Sequence, residues 1–208
     1  PANVLILLDK SGSMSARMVS GTSTTNPRAL AYAPNGDVFV GTVSSGIKKL
    51  TYATNTADTS FANNGTFLSW TSNNCYTYYI MDMAYHNGFV YVASLFSSWI
   101  YRINATTGAC DMMGYRIQSG GRPNKLEIKN NLLYFTNQYQ GLQIYDISSS
   151  APTQRGRNVI NQSHAKYSYA MSIDASASNM YFYYSSRIYV HRMNMNIPQA
   201  NHYAAPLI

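Results

Sequence analysis

One hairpin-rich pattern recurs four times along the chain, and this repetition limits the possible folds more than any other feature. Each copy has an alternating strand, a tight turn containing Asn, Gly or Asp, an aromatic-rich strand, a second turn and a third strand. Asn-Gly between alternating runs is the strongest short signal for a β-hairpin, because both turn residues take a positive φ. The predicted strands span residues 28–33, 38–42, 46–52, 80–85, 89–94, 99–103, 124–128, 132–136, 141–146, 170–174, 180–184 and 187–191.

The period of the repeat predicts the fold class. The copies recur every ~40–50 residues, which is the length of a four-stranded propeller blade. A single small sheet cannot bury both of its faces, whereas sheets stacked around an axis bury them against one another. The sequence therefore predicts an all-β fold: a small β-propeller of about four blades over residues 27–208, with residues 1–26 as an extra N-terminal strand and loop.

The fourth strand of each predicted blade is less regular. Residues 65–70, 112–118 and 157–160 fit the first three blades. Either residues 203–208 or residues 3–8 fit the last blade, and the N-terminal choice would close a ring by joining the first strand to the last blade. Three arrangements stay open: a closed ring, a piece of a larger propeller, or an open arc that another chain completes.

Composition excludes several other classes of protein. Charged residues make up 11% of the 208 residues, against roughly 25% in an average soluble protein. The 19 Tyr residues favour strands, so a coiled coil, a collagen and a Lys/Glu-rich helical bundle are excluded. The net charge of +7 is spread without a basic run, so we expect no nucleic-acid partner. We also expect no transmembrane segment, because no apolar stretch reaches roughly 18 residues.

The cysteine content points to the cell exterior. The chain has two cysteines, Cys75 and Cys110, and no metal-binding Cys/His pattern. We expect them to form one disulfide in an extracellular or cell-surface protein, because disulfides persist in oxidising compartments. Two separate buried thiols are the alternative.

A short motif follows the apolar N-terminal segment. Within residues 3–14, Asp9, Ser11 and Ser13 stand at alternate positions after a strand-like run. Carboxylate and hydroxyl oxygens are the ligands that hard divalent cations prefer. The string resembles the opening of a von Willebrand factor A domain, and in that family this loop supplies part of a divalent-cation site. The resemblance implies Mg²⁺ or Ca²⁺ at these residues; a strand followed by a Ser/Gly turn is the alternative.

The motif and the propeller-like remainder together resemble the pilus-tip adhesins of the PilY type, in a shortened form. Those proteins join a von Willebrand factor A-like region to a C-terminal propeller and act at the tip of bacterial type IV pili. The resemblance implies an exported protein of the cell surface or of a pilus or filament. We expect no cofactor other than Mg²⁺ or Ca²⁺ at Asp9, Ser11 and Ser13.

The apolar N-terminal run could also pair with another chain. An exposed strand can be added to the sheet edge of a neighbour through main-chain hydrogen bonds. We therefore expect self-association, or association with pilus or filament subunits, through an inter-chain strand made of Val4, Leu5, Ile6, Leu7 and Leu8.

No catalytic motif occurs in the sequence. The four histidines stand in no HExxH or comparable pattern, and the eight acidic residues form no evident acid/base pair. We expect a protein that is not an enzyme.

Aromatic side chains offer a recognition surface instead. Aromatic faces stack on sugar rings, and half of each strand-borne set points into the core. The candidates for exposed ligand-binding residues are the loop residues Trp70, Tyr139 and Tyr167, and the groups Tyr76, Tyr78, Tyr79 and Tyr181, Tyr183, Tyr184.

These observations lead to one function and one alternative. We expect a non-enzymatic extracellular protein, at the cell surface or in a pilus or filament, that acts in adhesion or assembly. It would work through a rigid propeller surface and inter-chain strand pairing. The alternative is a lectin-like propeller that binds glycans through loop aromatics.

Overall fold

The computed structural model describes most of the chain between residues 26 and 206. Within the described residues the chain consists of strands and turns, without a helix, so the all-β prediction is confirmed. The described residues are 26–51, 56–67, 75, 77–97, 99–111, 117–118, 121–138, 141–158, 170–173, 179–184, 187–192 and 204–206.

Four antiparallel sheets make up the fold, and each has four strands in chain order. The first sheet contains β1 (Pro27–Tyr32), β2 (Val38–Thr42), β3 (Ile47–Leu50) and β4 (Thr66–Phe67). The second contains β5 (Ile80–His86), β6 (Phe89–Ser94), β7 (Trp99–Asn104) and β8 (Ile117–Gln118). The third contains β9 (Pro123–Lys129), β10 (Leu132–Asn137), β11 (Gly141–Asp146) and β12 (Thr153–Asn158). The fourth contains β13 (Ala170–Ile173), β14 (Asn179–Tyr184), β15 (Arg187–Arg192) and β16 (Ala204–Pro206).

Turn chemistry explains the first hairpin of the second and third sheets. Asn87 and Gly88 connect β5 to β6 with φ values of 47° and 80°. Asn130 and Asn131 connect β9 to β10 with φ values of 49° and 59°. Positive φ at both central residues matches the twist of the flanking strands, and Asn and Gly reach this region at low cost. These hairpins form where the sequence predicts them.

The first strands of the sheets pack side by side in chain order. β1 contacts β5, β5 contacts β9, and β9 contacts β13. We call them the inner strands. Among the described strands, β13 and β1 share no packing of comparable extent. The sheets therefore stack in sequence, as propeller blades do.

The core lies between neighbouring sheets. Val90 and Val92 of β6 belong to a buried cluster shared with the first sheet, where Phe39 and Ile47 are fully buried. The intervening residues Tyr91 and Ala93 of β6 belong to a second cluster, which is shared with the third sheet. Because alternate side chains point to opposite faces, one strand supplies both clusters. Burial of each large apolar side chain contributes about 1.5–3 kcal/mol.

Each of the first three inner strands contains a β-bulge at the same register position. The extra residue is Arg28 in β1 and Met81 in β5, and it falls within residues 124–125 of β9. A bulge bends the strand and redirects the side chains beside it. The bulge in β9 is supported by Thr136, whose hydroxyl oxygen accepts a hydrogen bond from the backbone N–H of Lys125 at 3.1 Å.

The outer strands differ most from prediction. β12 covers Thr153–Asn158 instead of residues 157–160. Its described side chains, Thr153 to Arg155, are exposed, so this strand lacks the apolar alternation on which the prediction depended. β16 pairs with β15 and completes the fourth sheet, so the C-terminal candidate occupies that place. Residues 3–8, the other candidate, lie outside the described residues.

Cys75 and Cys110 form a disulfide, with their Cα atoms 6.3 Å apart. The sequence left open a disulfide or two separate buried thiols, and the structure has the disulfide. Cys75 is fully buried in the cluster between the first and second sheets. The bridge connects the segment before β5 to the segment after β7, so that β5, β6 and β7 lie within one covalently closed loop.

Candidate functional site

Side chains from three sheets meet where the inner strands begin. Because neighbouring strands are antiparallel, the second strands end at this same edge. Arg28 lies in β1, Tyr78 and Tyr79 precede β5, Phe96 follows β6, and Arg122 precedes β9. We call these five residues the arginine–aromatic surface.

The members of this surface form a continuous row. Arg28 donates a hydrogen bond from Nη1 to Oη of Tyr79 at 2.7 Å, and its guanidinium carbon lies 4.4 Å from the ring centroid. The rings of Tyr79 and Phe96 meet nearly at right angles, with centroids 5.7 Å apart. Tyr78 lies 5.9 Å from Phe96 on a tilted plane, and the guanidinium carbon of Arg122 lies 6.0 Å from the Phe96 centroid. Aromatic faces attract guanidinium groups at these distances.

The backbone beneath the row is held firmly. Tyr79 has a φ of 58°, which costs a non-glycine residue on the order of 1–3 kcal/mol. Its N–H donates to the carbonyl of Val43 at 2.8 Å, and its carbonyl accepts from the N–H of Leu95 at 3.0 Å. Ser94 donates its hydroxyl to the carbonyl of Tyr78 at 2.6 Å. These bonds join the first and second sheets and fix the direction of both tyrosines.

Phe96 is exposed although it is large and apolar. Its relative exposure is 53%, and among the described residues only Tyr32 is a comparably exposed large hydrophobic residue, at 64%. Tyr32 lies at the opposite end of β1, where it pairs with Val38. An exposed apolar ring that has aromatic and cationic neighbours is a feature of binding surfaces.

The arginines of this surface have no carboxylate partner among the described residues. Every described acid is engaged elsewhere, and neither Arg28 nor Arg122 takes part in an ion pair within the described chain. The partners of the acids are Lys49 for Asp37 and Asp58, Lys125 for Asp82, Arg102 for Asp111, Arg155 for Asp146, and the backbone N–H of Ile173 for Glu127. Within the described part of the chain no carboxylate offsets the positive charge of this surface, and such charge attracts anions.

A second group of charged side chains, formed by Lys49, Asp37 and Asp58, has a structural role. Lys49 lies 3.2 Å from Asp37 and 2.8 Å from Asp58, and the three side chains are largely buried. Burial lowers the pKa of Lys49, but its bonds to Asp58 and Asp37 outweigh that effect and hold the pKa above its usual value. The bond from Lys49, together with one from Ser60, lowers the pKa of Asp58. The group ties β3 to the turn before β2, where Asp37 lies, and to the loop after β3, where Asp58 lies.

Two inner-strand carboxylates connect neighbouring sheets. Asp82 accepts hydrogen bonds from the N–H groups of Met83 at 3.1 Å and of Leu126 at 3.0 Å. Burial raises its pKa, although Lys125 is 3.4 Å away. Glu127 accepts the N–H of Ile173 with both oxygens, and burial also raises its pKa. Backbone donors occupy both carboxylates, which gives them a structural role.

Most of the sequence-predicted site residues lie outside the described residues. This holds for the cation ligands Asp9, Ser11 and Ser13, the strand Val4 to Leu8, and the loop aromatics Trp70, Tyr139 and Tyr167. Within the described residues no three His, Cys, Asp or Glu side chains are grouped as metal ligands, and no helix is long and apolar enough to cross a membrane.

The structure places Tyr78 and Tyr79, two of the predicted aromatics, in the arginine–aromatic surface. Sequence reasoning missed Arg28, Phe96 and Arg122. One signal was present: Pro27-Arg28 and Arg122-Pro123 both stand at the start of an inner strand.

Comparison with known proteins supports the fold alone. No family model and no curated protein matches the sequence. A solved protein from Lactobacillus plantarum is similar with a TM-score of 0.66 and 12% identity, over 89% of this chain and 56% of that one. The computationally designed Ika4 protein is similar with a TM-score of 0.60 and 14% identity, over 87% of this chain and 100% of the design.

An extracellular domain from B. thetaiotaomicron, in a protein described as a hybrid two-component system, has a TM-score of 0.61 and 12% identity. The match covers 86% of this chain and 22% of that one. The chain thus spans little more than half of the Lactobacillus protein and under a quarter of this one. The Lactobacillus and B. thetaiotaomicron structures resemble β-propeller-like folds, and the present chain shares their all-β architecture of several antiparallel sheets.

Proposed function

We propose that this chain is a non-enzymatic extracellular recognition module that acts in adhesion, as part of a cell surface or a pilus or filament. The arginine–aromatic surface is its contact face. The observation that carries the proposal is the exposed Phe96, which has Tyr78 and Tyr79 on its sides and an arginine without a described carboxylate partner beside it. Rigid sheet ends that present a few aromatic and arginine anchors are typical of recognition sites.

The extracellular location is supported by two features. The Cys75–Cys110 disulfide suits an oxidising compartment. The N-terminal motif and the propeller-like sequence repeat resemble pilus-tip adhesins of the PilY type.

The arrangement we propose for the sheets is a small propeller of four blades; closure of the ring requires β13 and β1 to pack together, and the described strands show no such packing of comparable extent. The inner strands follow one another from β1 to β13, and β16 completes the fourth sheet from the same chain. The likeness to the Ika4 design extends over that protein's whole length. Small-angle scattering tests this arrangement: a closed ring gives the radius of gyration of a compact monomer, and an open arc gives a larger value or a dimer.

Attachment assays test the recognition role. The labelled protein is applied to surfaces coated with glycans, matrix proteins or whole cells, and the retained amount is measured. Phe96→Ala should lower retention on the surface that binds the protein, because the exposed ring is lost. Tyr32→Ala is the matched control, since it removes a comparably exposed aromatic at the far end of β1. Equal retention of the two variants would refute the proposal.

Filament assembly is a second role for the same molecule, and it depends on residues 4–8 as an inter-chain strand. Deletion of residues 1–14 should abolish self-association in sedimentation velocity. Normal assembly of the truncated chain would refute the strand-pairing part of the proposal.

The proposed divalent cation at Asp9, Ser11 and Ser13 stays a prediction. Calorimetric titration with Mg²⁺ and Ca²⁺ tests it. Asp9→Ala should remove the heat of binding, because the substitution deletes the only carboxylate of the motif.

The second candidate function is a lectin-like role. It is favoured by the side-by-side placement of aromatic rings and hydrogen-bonding guanidinium groups on one face.

A further inference from the structure

We propose that the arginine–aromatic surface binds an acidic carbohydrate, an oligosaccharide with carboxylate or sulfate groups. A sugar ring would lie against Phe96, and acidic groups on either side would pair with Arg28 and Arg122. This inference rests on the proposed recognition function and specifies the class of ligand at the same site.

The aromatic part of the surface suits a pyranose ring. Phe96 is 53% exposed, and Tyr79 meets it nearly edge-on, with an interplanar angle of 80°. Tyr78 supports it from another side at 5.9 Å. An aromatic ring that its neighbours hold in place offers a flat apolar platform at little entropic cost, and the C–H face of a sugar fits such a platform.

The charged part of the surface suits acidic groups on that sugar. Arg28 and Arg122 flank the tyrosine and phenylalanine rings, and no described carboxylate neutralises either of them. A guanidinium group has five N–H donors in a planar fork, and the bond from Arg28 to Tyr79 uses one of them. Such forks bind carboxylate and sulfate oxygens in pairs.

The arrangement favours a polymer with repeated charges over a single small anion. Tyr79 and Phe96 lie between the two arginines along the row. A small anion would reach one guanidinium group and leave the rings uncovered. An acidic oligosaccharide covers the rings and reaches both arginines.

Other polyanions fit less well. Nucleic acids are held mainly by many phosphate contacts to basic side chains, whereas this surface supplies two arginines. An acidic peptide would satisfy the arginines but has no pyranose ring whose C–H face could cover Phe96.

The test measures binding by calorimetry to short oligogalacturonates, which carry carboxylates, and to heparin-derived oligosaccharides, which carry sulfates. The companion ligands are neutral galactan oligosaccharides, poly-glutamate and single-stranded DNA. We expect the protein to bind at least one of the acidic carbohydrates and to bind all three companions at least roughly tenfold more weakly. The affinity should fall as salt rises, because the paired charges are partly exposed.

Matched variants assign the binding to this surface. Arg122→Gln and Phe96→Ala should each weaken binding roughly tenfold or more. Arg155→Gln removes the same charge at an exposed position in β12 and should leave the affinity within roughly twofold of wild type. Arg122→Lys should bind with intermediate affinity, because the charge stays and the fork is lost. Thermal melting of each variant confirms that it is folded.

The possible failures are distinct. If poly-glutamate or DNA bound as tightly as the carbohydrates, or if Phe96→Ala had no effect, the surface would be a general anion attractor and the inference would be wrong. If retention on coated surfaces depended on Phe96 but no acidic carbohydrate bound, the proposed ligand class would be wrong and the recognition role would stand. If Phe96→Ala changed neither retention nor carbohydrate binding, both proposals would fail.

Discussion

Asp82 of β5 accepts a hydrogen bond from the backbone N–H of Leu126 of β9, at 3.0 Å, so that one carboxylate joins the inner strands of two adjacent sheets. Glu127 repeats this connection at the next junction, where it accepts the N–H of Ile173 in β13. Edge-to-edge contacts between sheets leave backbone donors that require acceptors, and buried donors without one are costly. Apolar packing alone would allow neighbouring sheets to shift relative to each other. These two carboxylates therefore determine how the sheets align.

Removal of the Asp82 carboxylate should destabilise the fold through this junction. Asp82→Ala leaves the N–H groups of Met83 and Leu126 without acceptors, at a cost of about 1–3 kcal/mol each. Asp82→Asn keeps one acceptor oxygen and also removes a buried charge, so we expect a clearly smaller loss. Urea denaturation followed by circular dichroism measures both. Equal losses for the two variants would show that the carboxylate does not act through these bonds.

Acid should weaken the fold through Asp146. Hydrogen bonds from the Ser148 side chain and backbone, and then from Arg155, lower the pKa of Asp146 from 3.8 to about 2. The folded state therefore releases this proton more readily than the unfolded chain. The stabilisation is present above the unfolded value of 3.8 and is lost as pH falls toward about 2.

Asp146→Asn should make the stability of the fold less dependent on pH between 3.8 and about 2. Asp82 affects the pH dependence of stability in the opposite direction. Burial raises its pKa, so the folded state binds this proton more tightly than the unfolded chain does and gains stability as the pH falls. Asp82→Asn should therefore steepen the acid loss. Melting temperatures measured across the acid range check both slopes, and a parallel shift of all three profiles would contradict the assignment.

Reduction of the disulfide should lower stability by several kcal/mol. The bridge spans a sequence separation of 35, for which the chain-entropy model gives roughly 4 kcal/mol. The midpoint of urea denaturation should fall when a phosphine reductant is added. A Cys75→Ala, Cys110→Ala double variant is the control, since it should be unstable from the outset and insensitive to the reductant. A reductant effect of equal size on this variant would exclude the bridge as the cause.

Two glycines with positive φ should respond differently to the same substitution. Gly108 has a φ of +70°, and a Cβ there would lie 2.5 Å from Cβ of Ala62, in the loop that the first sheet contributes. Gly88 has a φ of +80° with nothing within 4 Å of the added carbon. Gly88→Ala should cost about 1–2 kcal/mol from backbone strain alone. Gly108→Ala should cost more, because the two loops must also separate. Thermal denaturation compares them, and similar losses would mean that the loops yield freely.

Part of the fold was predictable because its determinants are local. The Asn87-Gly88 and Asn130-Asn131 turns specify their hairpins within a few residues, and the aromatic-rich strands beside them alternate clearly. β12 was misplaced because an exposed outer strand needs no apolar alternation, and its segment Thr153 to Asn158 has none.

The site was predictable only in part. Tyr78 and Tyr79 were recognisable as aromatics near a strand start. Phe96 stands in a Ser-rich segment without any pattern, and its importance comes from its neighbours.

By itself the sequence determined the repeated hairpins, the all-β class and the approximate strand limits, since turn conformation and alternation depend on residues close together in the chain. The tertiary structure decided which side chains meet. Arg28, Tyr79, Phe96 and Arg122 belong to three different sheets, and they form one row because the inner strands stack side by side. The reason is physical: the packing of one sheet on the next sets that alignment, and no local rule encodes it.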